Sequence, residues 1–379
     1  MIEITSSFDG GNIEVVDASQ PNAIRLRIRP DTNSEFFQWF YFRITGAQNL
    51  DCSLTIENAG ESAYPDGWPD YTALASYDRQ SWFRVATEYQ GGKLQISLRP
   101  EADTVWLAYF VPYSMERHAD LVASANAHPL TRVRSLGKTL DDQDIDLIEV
   151  SAPQSSGGQP LRIWMIARQH PGETMAEWWM EGLLDRLLDM DDPVSRTLLS
   201  KARFYIVPNM NPDGSRRGHL RTNAAGVNLN RAWNDPSPEQ SPEVYWVRRN
   251  MERLGVEFHL DVHGDEALPY NFLAGFENIP SLTEDQQALF ERYRSALAAR
   301  NPDFQTEHGY PAEPAGSSDL KKCTEYTAET FGCLAMTLEM PFKDTSDTPD
   351  PRFGWSPERS KHLARSCLDA LLTVIDDLR

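Results

Sequence analysis

The stretch LRIWMIARQHPGET, residues 161–174, decides how the chain folds. Leu161 to Ala167 is an apolar run suited to a strand buried on both faces, and it leads directly into His170. After Pro171 the period changes. Ala176, Trp179, Met180, Leu183, Leu184, Leu187 and Leu188 fall on one helical stripe. Buried strands of the same kind recur at Phe204–Pro208, Val256–Val262 and Leu334–Leu338, with helical patterns at Ser281–Arg300 and Pro357–Leu378. This part of the chain therefore reads as α/β. His170, Asn211, His263 and Glu339 each come at or just beyond a strand's C-terminal end. Open α/β sheets bind ligands in the crevice outside those ends, so these distant residues are expected to converge.

Upstream the pattern is different. Ile24–Arg29 alternates as IRLRIR, Phe36–Ile44 is densely aromatic, and Leu50–Ile56, Trp82–Thr87, Leu94–Leu98 and Thr104–Phe110 are short and rich in β-branched or aromatic residues. Gly, Pro, Asp and Asn separate them, which predicts an all-β sandwich. The change of pattern falls near Val111–Ala119, dividing the chain into residues 1–118 and 119–379.

His170 and Glu173 form an HxxE pair, and His263 closes the segment VEFHLDVH. Two imidazoles and a carboxylate, with a fourth position left open, make the catalytic form of a zinc site. A lone HxxE arises readily by chance and is then a solvated pair. What favours the metal reading is the company the pair keeps further along the chain. His259, four residues before His263, reads as a core or neighbouring histidine rather than a fourth ligand. Bound zinc brings the pKa of water toward about 7 and polarises a carbonyl, yet amide hydrolysis still needs a proton acceptor. Glu339, a carboxylate at a strand end, is the candidate.

Bulk properties narrow the function. The 379 residues have room for two domains, and 36 Lys and Arg against 56 Asp and Glu give a net charge of −20. No basic stripe is present, which argues against nucleic acid or an anionic membrane as partner. MIEITSSFDGGN lacks the basic and apolar regions of a signal peptide, and no segment has the ~18 apolar residues of a membrane span. Cys52, Cys323, Cys333 and Cys367 show no framework spacing. A cytoplasmic protein with free thiols is expected.

The stretch NPDGSRRGHLRTNAAGVNLNRAW, residues 211–233, and the late TLEMP complete an ordered set with HxxE and His263. In this the chain resembles the zinc metallocarboxypeptidases, and among them a bacterial member of the cytosolic carboxypeptidase subfamily, from about residue 119 to the C-terminus. The resemblance implies a carboxypeptidase-like α/β domain, a mixed sheet flanked by helices, preceded by a β-sandwich. It implies one Zn2+ per chain on His170, Glu173 and His263, with Glu339 as general base. Arg221 matches the arginine that stabilises the tetrahedral intermediate, in preference to Arg216 and Arg217, and Asn230 and Arg231 match the pair that binds the terminal carboxylate. The substrate would be the C-terminal peptide or isopeptide-like bond of a peptide or protein, with acidic C-terminal residues the first expectation.

Certain positions depart from the family. Asn228 stands where most relatives have an aspartate supporting the first zinc histidine, which is expected to weaken metal affinity. Tyr310 and Tyr326 are both candidates for the substrate-covering tyrosine. Lys321 and Lys322 lie near the specificity segment, although a solvated pair is the plainer reading. Asn211–Gly214 reads as a tight turn serving as scaffold. Two other functions share parts of the pattern: a zinc amidohydrolase of the aspartoacylase and succinylglutamate desuccinylase type, and a non-catalytic peptide-binding protein on the same scaffold.

Overall fold

The computed structural model describes residues 2–152, 159–311, 314 and 316–378. Its first part contains β1 (Glu3–Thr5), β2 (Glu14–Asp17), β3 (Ile24–Arg27), β4 (Tyr41–Thr45), β5 (Cys52–Ile56), β6 (Leu74–Ser76), β7 (Trp82–Arg84), β8 (Ala86–Gln90), β9 (Lys93–Leu98) and β10 (Val105–Ala108). They form two five-stranded sheets, β1-β4-β10-β6-β7 and β2-β3-β5-β9-β8. Strand periodicity supplies the core between them: Cys52, Leu54 and Ile56 of β5 and Leu94 and Ile96 of β9 are buried, while Lys93, Gln95 and Ser97 face solvent. This is the expected sandwich.

Two of its strands differ from the sequence reading. Only Tyr41–Thr45 of the aromatic run pairs as a strand. The segment before it is drawn out of the sheet: the Asp31 amide donates to Phe36 O at 2.8 Å, and Trp39 Nε1 donates to Gly10 O at 2.8 Å. The run Trp82–Thr87 splits at Val85, whose amide bonds Ala73 O, so β7 joins one sheet and β8 the other.

The second part runs α1 (Met115–Asn126), β11 (Thr131–Lys138), β12 (Asp144–Val150), β13 (Leu161–Ala167), α2 (Met175–Leu187), α3 (Pro193–Lys201), β14 (Ala202–Val207), α4 (Pro212–Arg217), α5 (Pro242–Leu254), β15 (Phe258–Val262), β16 (Phe272–Ala274), α6 (Glu284–Arg300), α7 (Cys323–Phe331), β17 (Leu334–Glu339) and α8 (Pro357–Val374). One seven-stranded sheet has the order β11-β12-β14-β13-β15-β17-β16. Its centre, β14, β13, β15 and β17, is parallel, and β11, β12 and β16 pair antiparallel. Every residue of β15 is buried, as are the last five of β13, which is why their sequences lack alternation. Helices α2 and α8 pack so closely that a Cβ on Gly182 would stand 2.4 Å from Lys361 Cα.

The NPDG segment is not a free-standing tight turn. Asn211 caps α4, its Oδ1 accepting from the Gly214 amide at 3.0 Å. Proline at the first helical position and aspartate in the first turn suit a helix start, and this outweighs their turn preference. Asp213 then accepts from Thr139 Oγ1 at 2.6 Å and the Asp141 amide at 2.9 Å, tying α4 to the β11–β12 hairpin. No helix among the described residues is long and apolar enough to cross a membrane.

Candidate active site

Strand β13 ends in a constrained step. Arg168 has φ +61°, a left-handed conformation that costs a non-glycine residue on the order of 1 kcal/mol. Buried hydrogen bonds offset it: Nη1 reaches Glu177 Oε2 at 2.5 Å and Tyr113 O at 2.9 Å, and Nε reaches Pro171 O at 3.0 Å. Glu177 also meets His118 Nδ1 at 2.6 Å. The chain is thereby turned so that Gln169 and His170 leave the strand end in a fixed direction.

Three polar heads converge beyond that end. His170 Nδ1 lies 2.6 Å from Glu173 Oε1, His263 Nδ1 lies 2.8 Å from Glu173 Oε2, and the two Nδ1 atoms are 3.2 Å apart. The three offered ligand atoms all lie within 4.8 Å of one another, and all three residues are buried. The opposite ring nitrogens face oxygen: His170 Nε2 is 3.1 Å from Asn228 Oδ1, and His263 Nε2 is 2.8 Å from Asp261 Oδ2. Protons on both Nε2 atoms leave two Nδ1 lone pairs and a carboxylate pointing at one spot, an arrangement that a cation stabilises.

The electrostatics agree. Burial, and next the positive Arg221, push the His170 pKa down to about 4, so its imidazole is neutral, the form that binds a metal. Burial raises Glu173, but its contacts with His170 and His263 outweigh it and hold the carboxyl below its usual range. Burial opposes charge on His263 as well, yet Asp261 and Glu173 draw its pKa well above normal, so without a cation its Nδ1 takes a proton that a bound metal would displace. Two carboxylates thus pull positive charge to this place, and the donor set fits zinc.

Glu339 ends β17 beside them. Its Oε1 accepts from the Tyr310 hydroxyl at 3.1 Å, while Oε2 is buried with no hydrogen-bond partner among the described residues. Burial lifts its pKa well above normal; His263 opposes this, and Glu173 and Asp265 add to it. The same hydroxyl lies 2.9 Å from Asp265 Oδ2, so its one proton is shared between the two carboxylates, and at 51% exposed Tyr310 stands at the mouth of the site. Tyr326 is held elsewhere, by Glu252 at 3.1 Å and beneath Arg248.

Of the three arginines in this stretch, Arg217 pairs with Asp141, and Arg216 lines a separate cavity with Asp9 and His118. Arg221 faces the site, its guanidinium carbon 5.6 Å from the Phe36 ring centre and 5.2 Å from that of Tyr64. Arg231 is exposed, and burial of part of its side chain together with Arg221 lowers its pKa, so the two cations share one field. Asn230 Oδ1 accepts from the Cys323 amide at 2.8 Å. Lys322 pairs with Glu325 at 2.9 Å. His259 is buried and faces Cys323 Sγ at 3.8 Å, away from the cluster.

Several neighbours were not anticipated. Asp261 stands two residues before His263 on β15, so strand periodicity alone places both side chains on one face. Gln169 bridges Asp261 and Trp233, at 2.6 and 2.9 Å. Phe36, Tyr64 and Asp31, which bonds the backbone of Arg221, come from the sandwich and carry no local signal.

Comparison with known proteins agrees with this geometry. Residues 4–110 match the cytosolic carboxypeptidase N-terminal domain, and residues 116–363 match the zinc carboxypeptidase family. An uncharacterized protein of Zymomonas mobilis is 53% identical over 377 residues, covering 100% of this chain and 97% of its own. Cytosolic carboxypeptidase 6 of Mus musculus is 27% identical over 71% of this chain, which spans 54% of that relative's length. A metallo-carboxypeptidase from Burkholderia cenocepacia superposes with a TM-score of 0.96 at 49% identity, over 100% of both chains. So does one from Pseudomonas aeruginosa in complex with (2-guanidinoethylmercapto)succinic acid, at 48% identity and TM-score 0.96, again over 100% of both chains. The chain therefore belongs to the zinc carboxypeptidases, in the branch that carries the cytosolic carboxypeptidase N-terminal domain.

Proposed function

We propose that this metallocarboxypeptidase removes C-terminal residues from peptides and proteins through one zinc held by His170, Glu173 and His263, with Glu339 as the general base. The observation that carries the reading is the meeting of two imidazole Nδ1 atoms and a carboxylate within 4.8 Å, next to a buried carboxylate oxygen that has no hydrogen-bond partner among the described residues. Zinc bound there supplies Lewis acidity toward a carbonyl and lowers the pKa of water. Glu339 takes the proton from the attacking water and returns it to the departing amine, and its raised pKa favours that transfer. Arg221 meets the negative charge that develops on the carbonyl oxygen. Asn230 and Arg231 hold the terminal carboxylate, and Tyr310 closes over the substrate from the rim.

Preference for acidic terminal residues is part of the proposal. Its support is the likeness to the cytosolic carboxypeptidases, since Arg221 and Arg231 are taken by groups common to all termini and Lys322 is engaged by Glu325. The Pseudomonas relative is seen with a succinic acid derivative that also carries a guanidino group, so that ligand does not distinguish an acidic from a basic terminal residue. The four free, buried cysteines and the cytosolic relatives support a cytoplasmic home. The division expected at residues 118 and 119 would cut α1, which packs on β11 and β12, so the two domains are proposed to part just before Met115.

The test is a peptide library varied at its last residue, incubated with zinc-loaded protein, chelated protein and Glu339→Gln, and read by mass spectrometry. Loss of terminal residues only in the first sample is expected, fastest for Glu and Asp. Intact peptides alongside hydrolysis of an N-acyl amino acid would overturn the assignment in favour of an amidohydrolase.

A further inference from the structure

Arg221 is held in an unusual way. Among the described residues its guanidinium makes no ion pair, and its Nε is buried without a hydrogen-bond partner. A carboxylate does hold this residue, but by the backbone. Asp31, in the sandwich between β3 and β4, is 3% exposed and accepts from the amides of Leu220 at 2.6 Å, Arg221 at 2.8 Å and Thr222 at 2.9 Å, and from Thr222 Oγ1 at 3.0 Å. Successive amides turned toward one anion form a nest, and hydrogen bonds to a charged acceptor are roughly twice as strong as neutral ones. Leu220 and Thr222 are buried, so without Asp31 their amides would be left unpaired.

The hold extends to both sides. His219 Nε2 meets the Thr32 amide and hydroxyl at 3.0 Å each. The Tyr64 ring that flanks the guanidinium is itself fixed by Gln38, whose carboxamide bonds both the amide and the carbonyl of Tyr64, at 2.9 and 3.0 Å. A carboxylate paired directly with the guanidinium would neutralise the charge that an oxyanion needs. Bonded to the backbone, Asp31 fixes the position and leaves the head group free.

We propose that Asp31, with Phe36 and Tyr64, is a positioning device through which the N-terminal sandwich holds Arg221 in its working pose, so that the catalytic site is built from both domains. The proposal rests on the role given to Arg221 above. If Asp31 served only to join the domains, its removal would harm the enzyme whether or not Arg221 were present.

A double-mutant cycle separates the two cases. Zinc-loaded Asp31→Ala is expected to lose about 10- to 100-fold in kcat with KM and zinc content little changed, Asp31→Asn to fall between, and Asp31→Ala to cost less than about twofold in an Arg221→Ala background. Phe36→Leu carries the same cycle if Asp31→Ala does not fold. Equal losses in both backgrounds, or full activity in Asp31→Ala, would overturn the proposal. Calorimetric binding of a peptide phosphonate, whose tetrahedral anion resembles the intermediate, repeats the cycle without turnover. Non-additive loss of phosphonate affinity in a protein that releases no terminal residue would sink the carboxypeptidase reading while leaving the positioning role standing; additive loss there would sink the positioning role.

Discussion

The proposed zinc cradle and the setting of Arg221 solve opposite problems. Zinc ligands must present fixed heads, so their partners act on the heads: Asn228 and Asp261 bond the far ring nitrogens of His170 and His263. In its proposed role Arg221 keeps its head free for substrate, and its partner acts on the backbone, through three amides bonded to Asp31. The first arrangement is contained in one sheet and the loops at its strand ends. The second spans the domain boundary, with 190 residues between Arg221 and Asp31. On the proposed assignments, rigid ligand geometry is a property of the catalytic domain, whereas transition-state stabilisation draws on the sandwich as well.

The strongest challenge to that division is removal of the base. Glu339→Gln is expected to lower kcat by about 10³-fold or more while zinc binding and the phosphonate-binding cycle persist. Loss of zinc in this variant, measured by metal content, would place Glu339 in the cradle instead.

The cradle is itself asymmetric, since one histidine is supported by a carboxylate and the other by an amide. Asp261→Asn is expected to weaken zinc binding about 10- to 100-fold in a chelator competition, and Asn228→Asp to strengthen it by about tenfold or less. If Asp261→Asn changes nothing, the carboxylate on His263 does not compensate for the amide on His170.

The smallest expected effect lies behind the cradle. Burial disfavours a charged His118, but Glu177 and Asp146 raise its pKa to about 9 from 6.5. A folded-state pKa above the unfolded value stabilises the protein fully below about pH 6.5, and the contribution is lost as pH rises through about 9. Tm is therefore expected to fall by a few degrees across that window, and His118→Gln to flatten the slope. An identical slope in the variant would remove His118 from the account.

The cradle was legible because its residues sit at strand ends inside short motifs, and apolar runs such as Leu161–Ala167 and Phe258–Val262 announce buried parallel strands. Asp261 was readable in principle, two residues from His263 in an unbroken strand. The choice between Tyr310 and Tyr326 needed three dimensions, because both precede Glu339 and only Tyr310 reaches it. β11 and β2 went unseen since edge strands with few buried residues show no alternation. Asp31 and Tyr64 left no trace, because a contact between domains imposes no periodicity on either segment. The first half of the aromatic run, Phe36–Phe40, reads as strand because its aromatics are packed outside the sheet, Phe36 beside Arg221 and Phe40 against Phe42 and Tyr109, and composition does not distinguish that from a sheet.

The most direct measurement is a zinc titration of metal-stripped protein, following release of the terminal residue from an acidic peptide. Activity should rise in proportion to zinc and level off at one ion per chain, while Glu339→Gln takes up the same single ion and stays inactive. Release before any zinc is added, or undiminished release by a His263→Ala variant, would contradict the account.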